Sequence, residues 1–404
     1  MSEPGSAGQD IPGSGVVAAT PTGAPATVPH STQMPASAPL PSPARLAWRR
    51  LRKNRTAVFG GLILIVLYTV TIFGSFVGPR DPALRNKLTP DHPPTWPRFF
   101  DEKGKFHPRP FVYGMTLVDE MRHLYKFDLS KKYPIRLLVK GEPYKLWWLF
   151  PSDLHLFGVD QGGFIAPLGT NSSGQDTFSR LLAGAKISLS IGLVAIAITT
   201  TLAMLFGSMA GYFGGIADAV IMRIVEFLMS IPALYLIIAL RAYFQTQGLF
   251  GLGGETPTSG EMYLIIIIIL SLIGWAQPAR VIRGMVLSLK EQEYILSERA
   301  LGASTFRILT RHVLPNTLSY VIIAATILVP YYILGEIALS YLGVGIQHPQ
   351  VSWGILLEEA QSPTTMREFP WLLLAPAGAI FLTVMAFNFL GDGLRDALDP
   401  KHVK

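Results

Sequence analysis

Glu293 to Asn316 reads EYILSERALGASTFRILTRHVLPN, a polar, basic, glycine-broken stretch between two long apolar segments. Its spacing predicts an elbow. Residues 290 to 301 can form one short amphipathic helix, Gly302 permits a sharp turn, and residues 304 to 312 form a second helix. Two short helices meeting at a glycine fit a groove on another protein. An ordinary basic cytoplasmic loop is the plainer reading of the same residues.

Composition sets the class independently. Half of the residues are hydrophobic and only 15% are charged, and the mean hydropathy is +0.37, which describes a polytopic membrane protein rather than a solvated domain. A span needs about 20 mostly apolar residues. Thr56 to Pro79, Ile187 to Ala217, Met262 to Ala279, His312 to Gly335 and Phe369 to Gly391 have uncharged cores, and a sixth candidate, Ile221 to Phe244, is interrupted by charge. With no cysteine there is no disulfide framework, thiolate metal site or cysteine nucleophile. The net charge of +7 resides at the edges of apolar spans instead of on a globular face with interleaved aromatics, which argues against nucleic acid.

Residues 1–43 are rich in Pro, Ala, Ser, Thr and Gly, with no apolar run to repay the entropy of ordering, and read as a disordered cytoplasmic tail. The amino-terminal anchor helix occupies 44–79; its apolar stretch is too long for a secretory signal. Arg45, Arg49, Arg50, Arg52, Lys53 and Arg55 precede it and hold the amino terminus inside. Six spans then return the carboxyl terminus to the cytoplasm. Arg280, Arg283, Lys290, Arg299, Arg307 and Arg311 fall on the same inner side, whereas residues 245–261 carry no Lys or Arg.

Residues 80–183 form an outer loop with Trp96, Trp147, Trp148 and β-favouring runs such as YPIRLLVKG and EPYKLWWLF, separated by turn residues. They predict a small strand-containing subdomain. Its tryptophans serve either a docking surface or an interfacial belt. His92, His107, His123 and His155 lack the short spacing of a zinc site, so no metal is expected.

These stretches, taken together, resemble the C-type permease of oligopeptide and dipeptide importers of the ABC class, including the microcin-peptide group. The family's coupling loop places a small-residue pair before a glycine and closes on Leu-Pro. Here Gly302, Leu314 and Pro315 hold those positions, with Leu296, Ser297, Glu298 and His312 departing from the pattern. PLGTNSSGQDTFSRLLAGAKISLSIGL is similar to a second family motif, retaining Gly169, Thr170, Gly174, Asp176, Ser179, Arg180 and Gly184, with Asn171, Gln175 and Lys186 where Asp, Arg and Arg are usual. AWRRLRKNRTAVFGGLILIVL, GYFGGIADAVIMRIVEFLMSIP, SYLGVGIQHPQVSWGILL and the closing GDGLRDALDPK match in order as well. The outer insertion over 85–160 exceeds the family's usual loop.

The resemblance implies an all-α polytopic fold of six transmembrane helices, one anchor plus a five-helix core over 184–398 with the coupling loop at 290–315, alongside the strand-containing outer loop. It implies a sister permease, two cytoplasmic ATPases that bind the ATP, an external solute-binding protein and a peptide or related substrate. Glu298, Arg299, Ala300, Leu301, Gly302, Ala303, Leu314 and Pro315 would contact the ATPase.

Several features stay open at this level. Gly207 and Gly211 allow either close helix approach or simple flexibility. Pro232, Pro278 and Pro330 are expected to kink spans three, four and five. Arg223 and Glu226 are spaced to pair on one helix face. Glu336 faces either the translocation path or a hydrogen-bond partner. The GLFGLGG stretch at 248–254 lacks the Lys-Ser or Lys-Thr of a phosphate-binding loop, and no HExxH or GxSxG motif occurs, so no enzyme or bound cofactor is expected. An ion-coupled secondary transporter is the alternative class; it would place ionisable groups at mid-membrane in an internal repeat.

Overall fold

The computed structural model describes residues 43–147, 149–160, 162–247 and 258–398. The predicted disordered tail through residue 42, Trp148, the 248–254 stretch and the last residues of the GDGLRDALDPK ending lie outside the described residues. A basic helix, α1 (Pro43–Lys53), leads into the first span, α2 (Arg55–Ile72). The Asn54 side chain separates them by accepting the Ala57 N–H at 3.1 Å, a helix-starting cap. A short helix, α3 (Gly74–Val77), ends this segment.

The predicted outer subdomain is an antiparallel meander of four strands, β1 (Arg98–Phe100), β2 (Phe106–Asp119), β3 (Leu124–Leu146) and β4 (Phe150–Val159), in the order β1-β2-β3-β4. The two β-favouring runs do not form separate strands. The first lies in β3 and the second completes β3 through Leu146 and reaches the start of β4 at Phe150; β3 pairs with β2 up to Pro134 and with β4 from Ile135 onward. Its Gly141-Glu142-Pro143 segment coincides with a register shift between Lys140 and Tyr144, because a proline inside a strand cannot donate to the ladder and settles at irregularities. "All-α" therefore describes only the helical part of this chain.

The helical part continues with α4 (Thr177–Phe213), α5 (Gly215–Ser230), α6 (Ala233–Gln247), α7 (Ser259–Gly274), α8 (Ala276–Leu289), α9 (Glu293–Ala300), α10 (Thr305–Ile308), a π turn at Leu309–Val313, α11 (Leu314–Tyr341), α12 (Trp353–Glu359), α13 (Pro363–Glu368) and α14 (Trp371–Leu398). Among the described residues, five stretches are long and apolar enough to cross a membrane: Arg55–Ile72, Thr177–Phe213, Ser259–Leu289, Thr305–Tyr341 and Trp371–Leu398. The sixth expected span is not one helix. Ile231 before Pro232 is extended, with φ −92° and ψ 129°, as the steric demand of a following proline favours. That residue divides the segment into α5 and α6, so Pro232 breaks where a kink was expected. Pro278 has no N–H for the Gly274 carbonyl, and the chain interrupts its ladder at Trp275, between α7 and α8. Pro330 lies within continuous α11.

Helix α4 is the spine, packed against α8, α11, α7, α5 and α2. Near the sheet, buried Leu189, Ile191, Ile265, Ile266, Ile333 and Trp353 form one cluster; toward the elbow, Val225, Ile282, Val286, Ile295, Ile308 and Val313 form another. The open reading of Gly207 and Gly211 resolves as close approach. A Cβ on Gly207 would lie 2.7 Å from the Ala279 carbonyl oxygen, and one on Gly211 2.8 Å from that of Arg283. We expect Gly211→Leu to cost about 1–3 kcal/mol through overpacking, read as a lower melting temperature in detergent. Gly284→Ala is the control, since nothing lies within 4 Å of its added Cβ; an unchanged melt in Gly211→Leu would refute the contact.

Candidate functional site

The elbow is built by two capping devices placed back to back. At the end of α9 the Ala303 N–H donates to the Glu298 carbonyl and the Gly302 N–H to the Arg299 carbonyl, each at 3.0 Å. This 6→1 and 5→2 pair is a Schellman ending, which requires a left-handed residue between them. Gly302 supplies it with φ +80°. Ser304 then starts the next helix by accepting the Arg307 N–H at 3.4 Å.

The second arm differs from the expected short helix. From Thr305 it runs through the π turn into α11, forming one stretch to Tyr341. Pro315 cannot donate to the Arg311 carbonyl, and the Leu314 N–H bonds instead to Leu309 O, widening the turn. Displacement of the elbow is thus displacement of the α11 end. The arms also meet: Asn316 Nδ2 donates to Tyr294 Oη at 3.4 Å, and His312 Nε2 comes within 3.5 Å of Glu298 Oε1 without making a hydrogen bond. Ile295, Ile308 and Val313 are buried beneath the turn. Leu301 and Phe306 stand out at its tip, 85% and 76% exposed, with Arg299, Arg307 and Arg311 exposed nearby in the chain.

At the other end of the bundle the 169–180 motif clamps the sheet-bearing loop to α4. Gly169 and Gly174 both have positive φ, and a Cβ on Gly174 would lie 1.9 Å from the Asn86 carbonyl oxygen. Thr170 interlocks with the facing strand of loop: its N–H donates to His92 O at 2.9 Å, and its hydroxyl accepts the His92 N–H at 2.8 Å while donating to Thr89 O at 2.6 Å. Asp176 caps α4 by accepting the Ser179 N–H at 2.8 Å, and burial pushes its carboxyl up to about 6 despite the Ser179 bond. Ser179 Oγ accepts the Arg80 N–H at 3.3 Å. Arg180, 1% exposed, makes a forked pair with Glu359 at the end of α12, with Nη1 to Oε2 at 2.5 Å and Nη2 to Oε1 at 2.6 Å.

Sequence reasoning missed Glu359, which sits 179 residues away with no spacing to signal it. It also missed the bidentate pair between Asp218 on α5 and Arg283 on α8, whose Nη2 to Oδ2 distance is 2.5 Å. The expected Arg223–Glu226 pair is present at 3.4 Å on an exposed face. Glu336 is fully buried, accepting from Ser188 and Ser340 hydroxyls at 2.7 Å each.

Residues 203–404 match the family model for the binding-protein-dependent transport system inner membrane component, and residues 42–94 that for the N-terminal TM domain of oligopeptide transport permease C. The dipeptide transport system permease protein DppC of Bacillus subtilis (strain 168) is 34% identical over 88% of this chain and 85% of its own. The chain belongs to this permease family.

Among other relatives of this binding-protein-dependent permease, the oligopeptide transport system permease protein OppC of Bacillus subtilis (strain 168) is 40% identical over 58% of this chain and 71% of its own. OppC of Escherichia coli (strain K12) is 42% identical over 58% and 72%. A solved inward-facing MetNI methionine ABC transporter aligns with a TM-score of 0.38 and 21% identity, over 54% of this chain and 96% of that one. Asn171 and Gln175, and Glu298 and His312, face one another in pairs. Asn171 Nδ2 donates to Gln175 Oε1 at 3.1 Å and to Glu359 at 3.2 Å, so a neutral hydrogen bond joins Asn171 to Gln175. Glu298 and His312 likewise face one another across the elbow.

Proposed function

We propose that this permease forms half of the translocation path of an ATP-driven peptide importer, beside a similar sister permease. Two cytoplasmic ATPase subunits would supply the energy, and a solute-binding protein would deliver the peptide from outside. The relatives named for dipeptide and oligopeptide transport support the substrate class. The observation that carries the coupling role is the Gly302 elbow, with Leu301 and Phe306 bare at its tip and its second arm continuous with α11. A partner groove would cover the two apolar side chains, and movement of that groove would tilt α11 directly.

In this reading 44–79 is the anchor, 80–183 the outer subdomain and 184–398 the core. Helices α5 and α6 cross as two halves of the remaining span, giving six crossings and cytoplasmic termini. Uptake into proteoliposomes tests the function: the assembled transporter should move members of a short-peptide panel only with ATP and the binding protein, and movement driven by an ion gradient without ATP would refute it. Orientation has its own check, because any engineered thiol is the only one in this chain. Ser130→Cys should react with an impermeant reagent added outside intact cells, and Ser304→Cys should not. The reverse pattern would overturn the orientation.

A further inference from the structure

The β3–β4 turn is fastened to the end of the first span. Helix α2 has 18 residues, about 27 Å at 1.5 Å per residue, against a hydrocarbon layer about 30 Å thick. The basic α1 precedes it, so its last residue, Ile72, lies at the opposite edge of the apolar layer. Ile72 O is one of the terminal carbonyls that a helix cannot satisfy by itself, and the Trp147 indole donates to it at 3.2 Å. The same ring tilts against Phe73 at a centroid distance of 5.5 Å. A second clasp gives the hairpin its direction: the buried His155 ring bridges Gly78 O at 2.7 Å and Glu142 O at 3.0 Å. Gly78 lies six residues beyond Ile72, and His155 five residues beyond Phe150. The hairpin therefore runs beside α3 with its tip turned back toward α2.

That tip is apolar. LWWLFPS, residues 146–152, carries no charge and is flanked by Lys145 and Asp153. Trp147, Leu149 and Phe150 are exposed. Trp147 holds φ +51°, a costly backbone for a bulky residue, which persists where the surroundings impose it. Phe59, Leu62, Ile65, Val66 and Ile72 are exposed on α2, so the tip adjoins the apolar surface of a membrane-crossing helix. An indole with its N–H satisfied and its ring bare suits the headgroup level, and Lys145 is placed to keep its ammonium in water above it.

We propose that the β3–β4 turn is a lipid anchor, in which Trp147, Leu149 and Phe150 occupy the boundary between headgroups and acyl chains beside α2 and hold the strand subdomain to the bilayer. The proposal rests on α2 spanning the membrane and not on the transported substrate. In the orientation proposed above, the leaflet is the outer one.

The test spin-labels Leu149→Cys in this otherwise cysteine-free chain, within the assembled transporter, its partner thiols replaced, in phosphatidylcholine–phosphatidylglycerol bilayers. Leu137→Cys is the matched control. Both leucines are 75% exposed, but Leu137 stands nine residues back along β3 from Leu146, about 30 Å at 3.4 Å per residue. Collisions of the nitroxide with oxygen, which concentrates among acyl chains, are compared with collisions with a water-soluble nickel chelate. The oxygen-to-nickel ratio at position 149 should exceed that at 137 by about fivefold or more. Equal ratios would leave the tip in water, and few collisions with either reagent would place it beneath the sister permease or the binding protein; both results overturn the anchor. Ile65→Cys on α2 separates the two readings. A nickel-accessible label there would overturn the span and the anchor together, whereas an oxygen-accessible one beside a water-exposed tip would overturn the anchor alone.

Discussion

Gly302→Val is expected to leave the permease in the membrane at normal abundance and to lower ATP-dependent transport by at least about tenfold. The cause is conformational rather than steric crowding within the chain. A Cβ at Gly302 meets nothing within 4 Å, but the residue holds φ +80°. Left-handed backbone costs an L-residue about 1–2 kcal/mol, and a β-branched residue is a genuine outlier there. The Schellman bonds from Ala303 and Gly302 then compete with a relaxed turn, and the second arm leaves α9 in another direction. Because Ile295, Ile308 and Val313 still bury beneath the elbow, insertion should survive and, in the proposed assembly, pairing with a sister subunit should persist while ATPase association weakens. Gly302→Asn separates the two ideas, since asparagine visits this region readily; it should retain most activity. Co-purification of the ATPase and transport-linked hydrolysis are the measurements. Full coupling in Gly302→Val would remove the turn from the mechanism.

Arg180→Met is expected to have the largest effect on stability, about 3–5 kcal/mol, because it strands a carboxylate whose partner was buried. Arg180 is 1% exposed and holds both Glu359 oxygens. Burial alone would raise the Glu359 pKa, but the Arg180 hydrogen bonds and charge outweigh it and hold the carboxyl below its ordinary range. A depressed carboxyl pKa stabilises above the unfolded value, about 4.3 for Glu, and that contribution is lost as pH falls through the lower folded value. Acidification below about pH 4 should therefore weaken the wild type through this pair, an effect absent from a variant with both residues replaced by Met. That double variant should also regain much of the melting temperature lost in Arg180→Met, since removing both charges leaves neither unpaired. A double variant no better than the single one would show that packing, not stranded charge, sets the cost.

What the sequence determined by itself is local. Apolar run length placed five spans, because a helix in hydrocarbon must satisfy its own backbone over about 20 residues. Gly302 marked the elbow, because a left-handed cap depends only on neighbouring residues. Prolines marked discontinuities but not their severity: Pro232 splits a span while Pro330 does not, and tertiary packing decides which lost backbone bond is tolerated.

Tertiary structure alone decided the rest. β3 runs through Gly141 and Pro143 because β4 pairs with it on both sides of that irregularity, Lys140 with Leu154 and Tyr144 with Ser152. Arg180 finds Glu359 across 179 positions, and Gly207 and Gly211 proved to be packing sites only once α8 lay against them. Arg80 and Arg85 in the loop after α3 and Lys186 on α4 are distant in sequence, and folding brings them around one cavity. Charges gathered from distant parts of a chain leave no periodicity or spacing behind, so their shared field belongs to the fold and not to any segment of the sequence.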